Sequence, residues 1–499
     1  MLSLSHALNL EARLADRTYY PAPSLAGHPG VPFYLTSWLA LKASVPSTAD
    51  VADRLSQVFD NAEAFFLATE GMAIAIGAAS IFSFVMVGGR LANPLVCLLG
   101  LGLWVASSHQ SLLTVLSLQN ETFALALNVV FIAVVYRVAR SDRLRLLDAL
   151  WIGLVSAAAY LVKISYLYIP IAIAAALLTS LAIRHRPERS EIPIAGLACV
   201  IFVAAIMVIG YGVIGKPAFH ALLAFHWSVL THAGLYGHGA SGLVSEGVLR
   251  ETQQSAIASG ALAIPLALAG GAFGSICSVL RYRQRCSEAA DAIVGVGLSV
   301  AAMMSALIVI KHYAEHYVAG VSATLPGLAI MAFRDLESRR LRTLYYSTLT
   351  LIVAGCLVVS WPRLLAVCRA ATEFRAELSN DRRELENIIA DRKGVGLYTY
   401  GLPLREASAG FVMYYAGLGA LEREYAANKP TRMSPLQKIA QNPNTRFDYV
   451  IVSKSYYPDQ ATVISSTTLD PSGVLRIHYE PGDKIIELRR MFIILKSQL

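Results

Sequence analysis

Long apolar stretches alternate with short polar loops between residues 61 and 361 of the chain. A membrane-spanning helix needs about 20 predominantly apolar residues, and about ten of these stretches approach that length. The pattern therefore predicts a polytopic α-helical membrane protein. The predicted spans are residues 61–89, 92–108, 112–136, 146–162, 166–183, 192–214, 256–280, 290–310, 317–333 and 344–361.

The composition agrees with a membrane protein rather than with a soluble one. Of the 499 residues, 55% are hydrophobic and 15% are charged, whereas soluble domains have about 25% charged residues. The formal net charge of +8 would also suit a nucleic-acid-binding protein. However, the basic residues lie in short clusters between apolar stretches, as topology determinants do. We therefore expect membrane lipids, and no nucleic acid, as partners.

The loops between the predicted spans alternate between an Arg-rich set and an Arg-poor set. By the positive-inside rule the Arg-rich set is cytoplasmic. This places residues 1–60 and everything after Trp361 outside, which in a bacterium is the periplasmic side of the inner membrane. The Arg-rich loops contain Arg90, Arg137, Arg140, Arg143, Arg145, Arg184, Arg186, Arg189, Arg281, Arg283, Arg285, Arg334, Arg339, Arg340 and Arg342, and the other set contains Lys163, Lys216, Arg250 and Lys311.

The N-terminal segment, residues 1–60, is predicted to be a periplasmic first loop. Residues 7–14 and 33–43 are amphipathic and predict helices that lie along the membrane interface. Between them a stretch rich in Pro, Gly and aromatic residues, which contains His28, predicts a structured loop. An outer segment of this kind normally follows an earlier span, so a missing first span is the favoured explanation. Translocation of the N-terminus without such a span is the alternative.

The composition becomes that of a soluble domain from Arg363 onward. Residues 373–392 are charged with helical spacing, and residues 411–425 predict a second helix. Alternating or continuous apolar runs at residues 395–402, 449–454, 475–480 and 485–494 predict strands, with prolines in the loops between them. The sequence thus predicts three parts: the first loop at 1–60, a transmembrane domain at 61–362 and a small periplasmic α/β domain at 363–499.

Two charged residues interrupt predicted apolar stretches. Glu121 lies in the run QNETFALAL, and Lys163 follows AAAYLV. A carboxylate at membrane depth is energetically expensive and suggests a function, although Glu121 also suits the first turn of a helix that Asn120 caps. Lys163 either extends to the interface, which is the common behaviour, or faces a phosphate-bearing lipid. Both interpretations of each residue stay open.

Two further groups of polar residues lie in the Arg-poor loops. Lys311, His312, Tyr313 and His316 form a dense cluster, which is typical of an interfacial aromatic belt or of a phosphate or sugar contact. Four histidines follow one another at six-residue intervals, which is neither a helical nor a strand repeat. Zinc ligands are usually spaced more closely, so this set does not favour a metal site. These histidines are His220, His226, His232 and His238.

Several stretches together resemble the GT-C glycosyltransferases, and most closely the branch of protein O-mannosyltransferase-like and aminoarabinose-transferase-like enzymes. The stretch ARLADRTYYPAPSLAGHPGVPFYLTSWLAL is similar to the first periplasmic loop of that family. QNETFALAL is similar to the acidic start of a later span. GLVSAAAYLVKISYLYIP and KHYAEHYVAGVSATLP are similar to two further helix junctions of the family. The likeness covers most of residues 10–335, and a periplasmic α/β tail is common in these enzymes.

The resemblance implies transfer of a sugar from a polyprenyl-phosphate donor to a glycan, lipid or protein acceptor, with inversion, at the periplasmic face. Such chemistry needs a general base and positive charge beside the departing phosphate. The family has an acidic base early in the first loop, and in this chain the expected carboxylate is Glu11, Asp16, or one that belongs to the missing N-terminal part. Glu121 matches a second acidic position. The expected substrate-binding residues are His28, Lys163, Lys311, His312, Tyr313 and His316, and whether a divalent metal takes part stays open.

Two other functions are compatible with parts of the pattern. A non-catalytic scaffold or partner subunit of a cell-envelope glycan system is favoured by the absence of an acidic residue before His6. A transporter of lipid-linked glycans would need polar residues in the middles of several spans. The predicted spans are nearly free of charged residues, which disfavours transport.

Overall fold

The computed structural model describes residues 30–45, 62–141, 143–183, 191–232, 261–284, 288–311, 313–334, 338–390, 396–398, 448–467 and 478–497, together with positions 7, 10, 11, 57, 250, 253, 254, 336 and 469. The chain divides into two compact units. The larger unit comprises Pro23–Ala40 and Leu67–Leu364. The smaller unit comprises Met1–Ala22, Leu41–Phe66 and Leu365–Leu499.

Helices account for nearly all of the larger unit. In chain order they are α1 (Val31–Ser44), α2 (Ala62–Leu91), α3 (Pro94–Ala106), α4 (His109–Leu116), α5 (Ala124–Arg140), α6 (Leu146–Val162), α7 (Tyr168–Ile183), α8 (Glu191–Ile209), α9 (Lys216–Thr231), α10 (Ala263–Arg283), α11 (Ala289–Lys311), α12 (Val318–Ser322), α13 (Leu325–Arg334) and α14 (Arg339–Ile389). Of these, α1, α2 and α14 continue into the smaller unit.

The chain is a multi-pass helical membrane protein. Eight segments of its described residues are long and apolar enough to cross a membrane. They are Ala64–Leu91, Asn120–Arg140, Ile164–Ile183, Ile192–Val213, Ala263–Arg283, Ala289–Lys311, Glu315–Arg334 and Arg339–Ile389. Helix α6, one of the predicted spans, has 17 residues and lies at the short end of the range for a span.

Two predicted spans, residues 92–108 and 112–136, have different bounds in the structure. Helix α3 ends at Ala106, and α4 leaves it at an angle of 94°, so that together they form at most one broken span. Ser108 causes the break, because its backbone is extended and its hydroxyl accepts a hydrogen bond from the amide of Gln110 at 3.2 Å. The next span begins only at Asn120. Among the described residues the structure therefore has eight spans, nine if the broken pair is counted, and the tenth predicted span corresponds to the shorter helix α6.

Small residues allow the helices of the larger unit to approach one another closely. A Cβ atom added to Gly153 of α6 would lie 2.8 Å from the carbonyl oxygen of Ala198 in α8. One added to Gly271 of α10 would lie 2.7 Å from the carbonyl oxygen of Ser299 in α11. In a membrane, where lipid tails are as apolar as the side chains, such backbone proximity is a main source of packing energy.

The smaller unit contains a four-stranded sheet. Its strands are β1 (Gly396–Tyr398), β2 (Tyr449–Ser453), β3 (Lys484–Glu487) and β4 (Met491–Leu495), in the spatial order β1-β2-β4-β3. Strand β1 is parallel to β2, and the other two pairs are antiparallel. A short helix, α15 (Gln460–Ser465), follows β2. Strands β2 and β4 are almost entirely buried, which explains why their sequences are continuous apolar runs.

The sequence-based prediction for the tail is wrong in one respect and incomplete in others. The run at 485–494 is a hairpin of β3 and β4, because the polar residues Arg489 and Arg490 form the turn between them. Residues 478–480 of the third predicted strand are not extended in a sheet. The helix expected at 373–392 is the end of the 51-residue α14, which includes Pro362. The helix expected at 411–425 lies outside the described residues.

Asp381 of α14 anchors the hairpin turn. Its carboxylate is buried and accepts hydrogen bonds from the backbone amides of Arg489 at 3.2 Å and Arg490 at 2.6 Å. The guanidinium of Arg490 also donates to Glu377 at 2.6 Å. Hydrogen bonds to an ionised acceptor are among the stronger ones in proteins, so Asp381 is a main tie between helix and sheet in the smaller unit.

We predict that Asp381→Ala loosens the hairpin, because two backbone donors lose a charged acceptor, at a cost of about 1–3 kcal/mol. Hydrogen exchange of the amides in residues 484–495 of the full chain should accelerate. Glu386→Ala is the control, since it removes only an exposed ion pair with Arg382 and should leave exchange there nearly unchanged. Equal exchange rates of these amides in the two variants would contradict the role of Asp381 as an anchor of the hairpin.

Candidate functional site

The larger unit has two chemically different ends. At one end, here called the Arg-rich end, Arg137 pairs with Asp148, Arg334 pairs with Asp291, and Arg140 lies 3.7 Å from Glu288. The other end, here called the Glu121 end, contains the start of α5 and the end of α6. The structure thus collects at the Arg-rich end basic residues that the sequence distributes over separate loops. The candidate site lies at the Glu121 end.

A buried ion pair joins Glu121 to Lys163. The two side chains are 4% and 2% exposed. Glu121 lies in a 3₁₀ turn, Asn120–Phe123, that leads into α5. Lys163 is the extended residue between the end of α6 and a second 3₁₀ turn, Ile164–Leu167. Because each charge is out of water, each depends on the other for compensation.

An aromatic ring covers the Lys163 ammonium group. Its Nζ lies 3.6 Å from the centroid of the Tyr317 ring, a cation–π contact that is stronger in a dry environment. The ring of His316 packs edge-on against Tyr317, with 4.4 Å between centroids. Tyr166 is fully buried nearby, and its hydroxyl has no hydrogen-bond partner among the described residues. The Glu121 carboxylate and the Tyr317 ring are therefore direct partners of the buried lysine.

Three spans begin in the same way at this end. Each is preceded by a single 3₁₀ turn, namely Asn120–Phe123 before α5, Ile164–Leu167 before α7 and Glu315–Tyr317 before α12. These turns carry Glu121, Tyr166 and Tyr317 respectively. A 3₁₀ turn tightens the chain where it enters a helix. The repeated feature brings residues from three distant parts of the sequence to one place.

The N-terminal segment also reaches this place. The amide of Gly30 donates to the carbonyl oxygen of Val162, the residue before Lys163, at 3.2 Å. Gly30 has φ of +51°, which disfavours any residue with a Cβ atom. An added Cβ would lie 3.0 Å from the Tyr34 ring and 3.2 Å from the side-chain oxygen of Asn120. That Asn120 oxygen is buried and has no hydrogen-bond partner among the described residues.

The structure reveals a second polar contact that the sequence reasoning missed. His109, at the start of α4, lies with its Nε2 atom 3.1 Å from Oε1 of Glu315. His109 is 6% exposed and Glu315 is 45% exposed. Next to it, the hydroxyls of Ser111 and Ser322 share a hydrogen bond of 2.7 Å. Glu315 lies inside the polar run KHYAEHY, and that density of polar residues was the only signal for it.

The other predicted site residues are distributed as follows. Lys311 donates to the carbonyl oxygen of Leu230, at the end of α9, at 2.6 Å, and remains partly exposed. Tyr313 and His316 are partly buried. Glu11 belongs to the smaller unit, where it accepts a hydrogen bond from Lys42 at 2.7 Å. Asp16, His28 and His312 lie outside the described residues.

The described histidines of the set spaced at six residues have different neighbours. His226 is buried and shares a hydrogen bond of 2.6 Å with the hydroxyl of Tyr160, and burial lowers its pKa to about 4. It is therefore neutral at pH 7. His220 lies beside Tyr211, and His238 is outside the described residues. Within the described ranges, no group of three or more His, Cys, Asp or Glu side chains is arranged to hold a metal ion.

Comparison with known proteins gives no relatives. No protein-family model matches the chain, and neither a curated protein nor a solved structure is significantly similar to it.

We predict that Gly30→Ala destabilises the protein, because a Cβ atom is strained at this φ and crowds both Tyr34 and Asn120. The expected loss is about 1–3 kcal/mol. It should appear as a lower thermal unfolding midpoint of the full chain in nanodiscs. Gly196→Ala on α8 is the control, since an added Cβ there meets no atom within 4 Å. An unfolding midpoint equal to that of the control would contradict the close packing of Gly30.

Proposed function

We propose that the protein transfers a sugar from a polyprenyl-phosphate donor to an acceptor at the surface of the bacterial inner membrane, by a GT-C-type inverting mechanism. One observation carries this proposal. The stretches that resemble the GT-C enzymes are far apart in sequence, yet Gly30, Glu121, Lys163 and Tyr317, one from each, lie together at the Glu121 end. Their assembly in one place supports a common function.

The location of these residues suits a donor that is embedded in lipid. The Glu121 end is where three spans begin, so a lipid-anchored phosphate at that membrane surface would meet it. The clustered arginines of the Arg-rich end support the assignment of that end to the cytoplasmic side of the membrane. On this proposal the site and the C-terminal domain face the periplasm.

The departing phosphate needs positive charge that it can reach. Lys311 is partly exposed and is the proposed cation, and His316, also partly exposed, is proposed to contact the phosphate as a hydrogen-bond donor. Lys163 is already engaged by Glu121 and the Tyr317 ring, so a phosphate would have to displace one of them. We therefore assign the Glu121–Lys163 pair the role of holding the helix starts, and thereby Tyr317 and His316, in position.

In the proposed reaction the acceptor oxygen forms a bond to the anomeric carbon of the sugar. The bond from that carbon to the phosphate oxygen breaks, and polyprenyl phosphate leaves with the electron pair. A base must take the acceptor proton. Glu121 is committed to Lys163, Glu11 to Lys42 in the smaller unit, and Asp16 lies outside the described residues. None of the carboxylates predicted from the sequence is therefore assigned here as the base that takes the acceptor proton.

A non-catalytic subunit of a glycan system is the second candidate. The observation in its favour is that Glu121 and Lys163 neutralise each other and are almost completely buried. Such a pair would serve a scaffold equally well, since removal of either partner leaves a buried charge. A catalytic assay separates the two functions.

We predict that the full chain in nanodiscs transfers radiolabelled sugar from at least one member of a panel of polyprenyl-phosphate donors. Lys311→Gln should raise the KM for the donor about 10- to 100-fold, because one charge-assisted contact of about 1.5–3 kcal/mol is lost. Lys216→Gln is the control, since Lys216 is an exposed lysine at the start of α9. Its KM should stay unchanged.

Parallel reactions with Mg²⁺, with Mn²⁺ and with EDTA decide whether a divalent cation takes part. Absence of transfer from every donor, in a preparation that retains a cooperative thermal transition, would contradict the enzymatic function and favour the scaffold.

A further inference from the structure

The contact between His109 and Glu315 has no role in the function proposed so far. It lies at the Glu121 end, because Tyr317, two residues after Glu315, covers the ammonium group of Lys163. We propose that Glu315 is the base that takes the proton from the acceptor hydroxyl and that His109 is its positioning residue. This inference rests on the proposed function and adds the residue that it lacks.

Glu315 combines two properties that a base for an external acceptor requires. It is 45% exposed, so an acceptor can approach it. Only one of its carboxylate oxygens contacts His109, and no other described residue forms a hydrogen bond or ion pair with the second one. That second oxygen is available to accept a proton. A base must lie within hydrogen-bonding reach of the proton that it removes.

Four other described carboxylates of the larger unit suit this role less well. Glu121 is 4% exposed and paired with Lys163. Asp148, Glu288 and Asp291 lie at the Arg-rich end, where each faces an arginine. Opposite charge within bonding distance stabilises the ionised form and weakens a carboxylate as a base.

His109 is held rigidly and is therefore suited to orient Glu315. It is buried in the first turn of α4, the helix that Ser108 caps. The side-chain nitrogen of Gln110 lies 3.2 Å from the Nε2 atom of His109, and it cannot donate there while Nε2 donates to Glu315. A neutral imidazole that donates from Nε2 to Oε1 of Glu315 fixes the carboxylate while its other oxygen remains free. In this pair the histidine is the buried partner and the carboxylate is the exposed one.

Several ionisable groups lie around Glu315. His316 is adjacent, and it lies within electrostatic range of Glu121, Lys163 and Glu315. Glu121 and Lys163 are paired with each other. His109 is the group in direct contact. The pH dependence of the reaction should therefore respond mainly to His109.

The step is balanced as follows. The acceptor hydroxyl gives its proton to the free oxygen of Glu315 while its oxygen bonds to the anomeric carbon. The bond between that carbon and the phosphate oxygen breaks, and the lipid phosphate leaves with the electron pair. Glu315 then releases the proton to water through its exposed side. No oxidant, reductant or further reactant is required.

The test uses the full chain in nanodiscs with the radiolabelled polyprenyl-phosphate donor that supports transfer. Glu315→Gln should lower kcat about 10²- to 10⁴-fold, the usual contribution of general base catalysis, with the KM for the donor changed less than about threefold. Glu288→Gln is the matched control, since Glu288 is an exposed glutamate at the Arg-rich end, and it should retain full activity. Thermal midpoints of all variants confirm that each is folded.

The positioning role of His109 has its own measurement. A hydrogen bond to the carboxylate favours its ionised form, so His109→Ala should move the acid limb of the kcat/KM profile to higher pH. His109→Gln restores a donor and should return the limb toward its original position. A merely structural histidine would lower activity without such a shift and rescue, and that result would overturn its proposed role.

The outcomes separate the two proposals. Transfer by the wild type with a large loss of kcat in Glu315→Gln supports both. Transfer by the wild type together with full activity of Glu315→Gln would overturn the assignment of the base and leave the proposed function intact. Absence of transfer by the folded wild type from every donor would overturn both.

Discussion

The buried ion pair between Glu121 and Lys163 constrains the rest of the larger unit. Taking two charges out of water costs several kcal/mol each, and the cost is recovered only if the pair forms with good geometry. The pair therefore fixes the start of α5 against the end of α6. Tyr317 adds the start of α12 through its contact with the ammonium group. One interaction thus holds three helix ends together.

The same interaction explains why the candidate site lies at this end. Once the helix ends are fixed, Gly30 fits against Val162 and Asn120, and the turn that holds Glu315 is placed beside His109. The buried pair is itself saturated, whereas Glu315, His316 and Lys311 remain partly exposed. In enzyme sites, buried supporting residues commonly hold the more exposed functional side chains in position. This is the arrangement on which the proposed glycosyl transfer depends.

The apolar pattern predicted most of the spans, because each needs only length and hydropathy. The pattern did not predict the helix ends at Ser107–Gln119, where serine and glutamine side chains cap and break helices. It also did not predict the hairpin at 485–494, where two charged residues in an apolar run form a turn. Glu121 and Lys163 were recognisable because charge in an apolar run is expensive. The pairing of Glu121 with Lys163 could not be predicted, because these residues are 42 positions apart in the sequence. The same holds for His109 and Glu315, which are 206 positions apart. Only the packing of the helices brings the partners together.

A double-mutant cycle on Glu121 and Lys163 tests this account most directly. Unfolding free energies would be measured for the full chain, for Glu121→Gln, for Lys163→Met and for the double variant. Each single change should cost about 3–5 kcal/mol, since the remaining group is buried without its partner, and the double variant should cost less than either. Additive effects of the two changes would show that the pair does not hold the helix ends together, and would contradict the account.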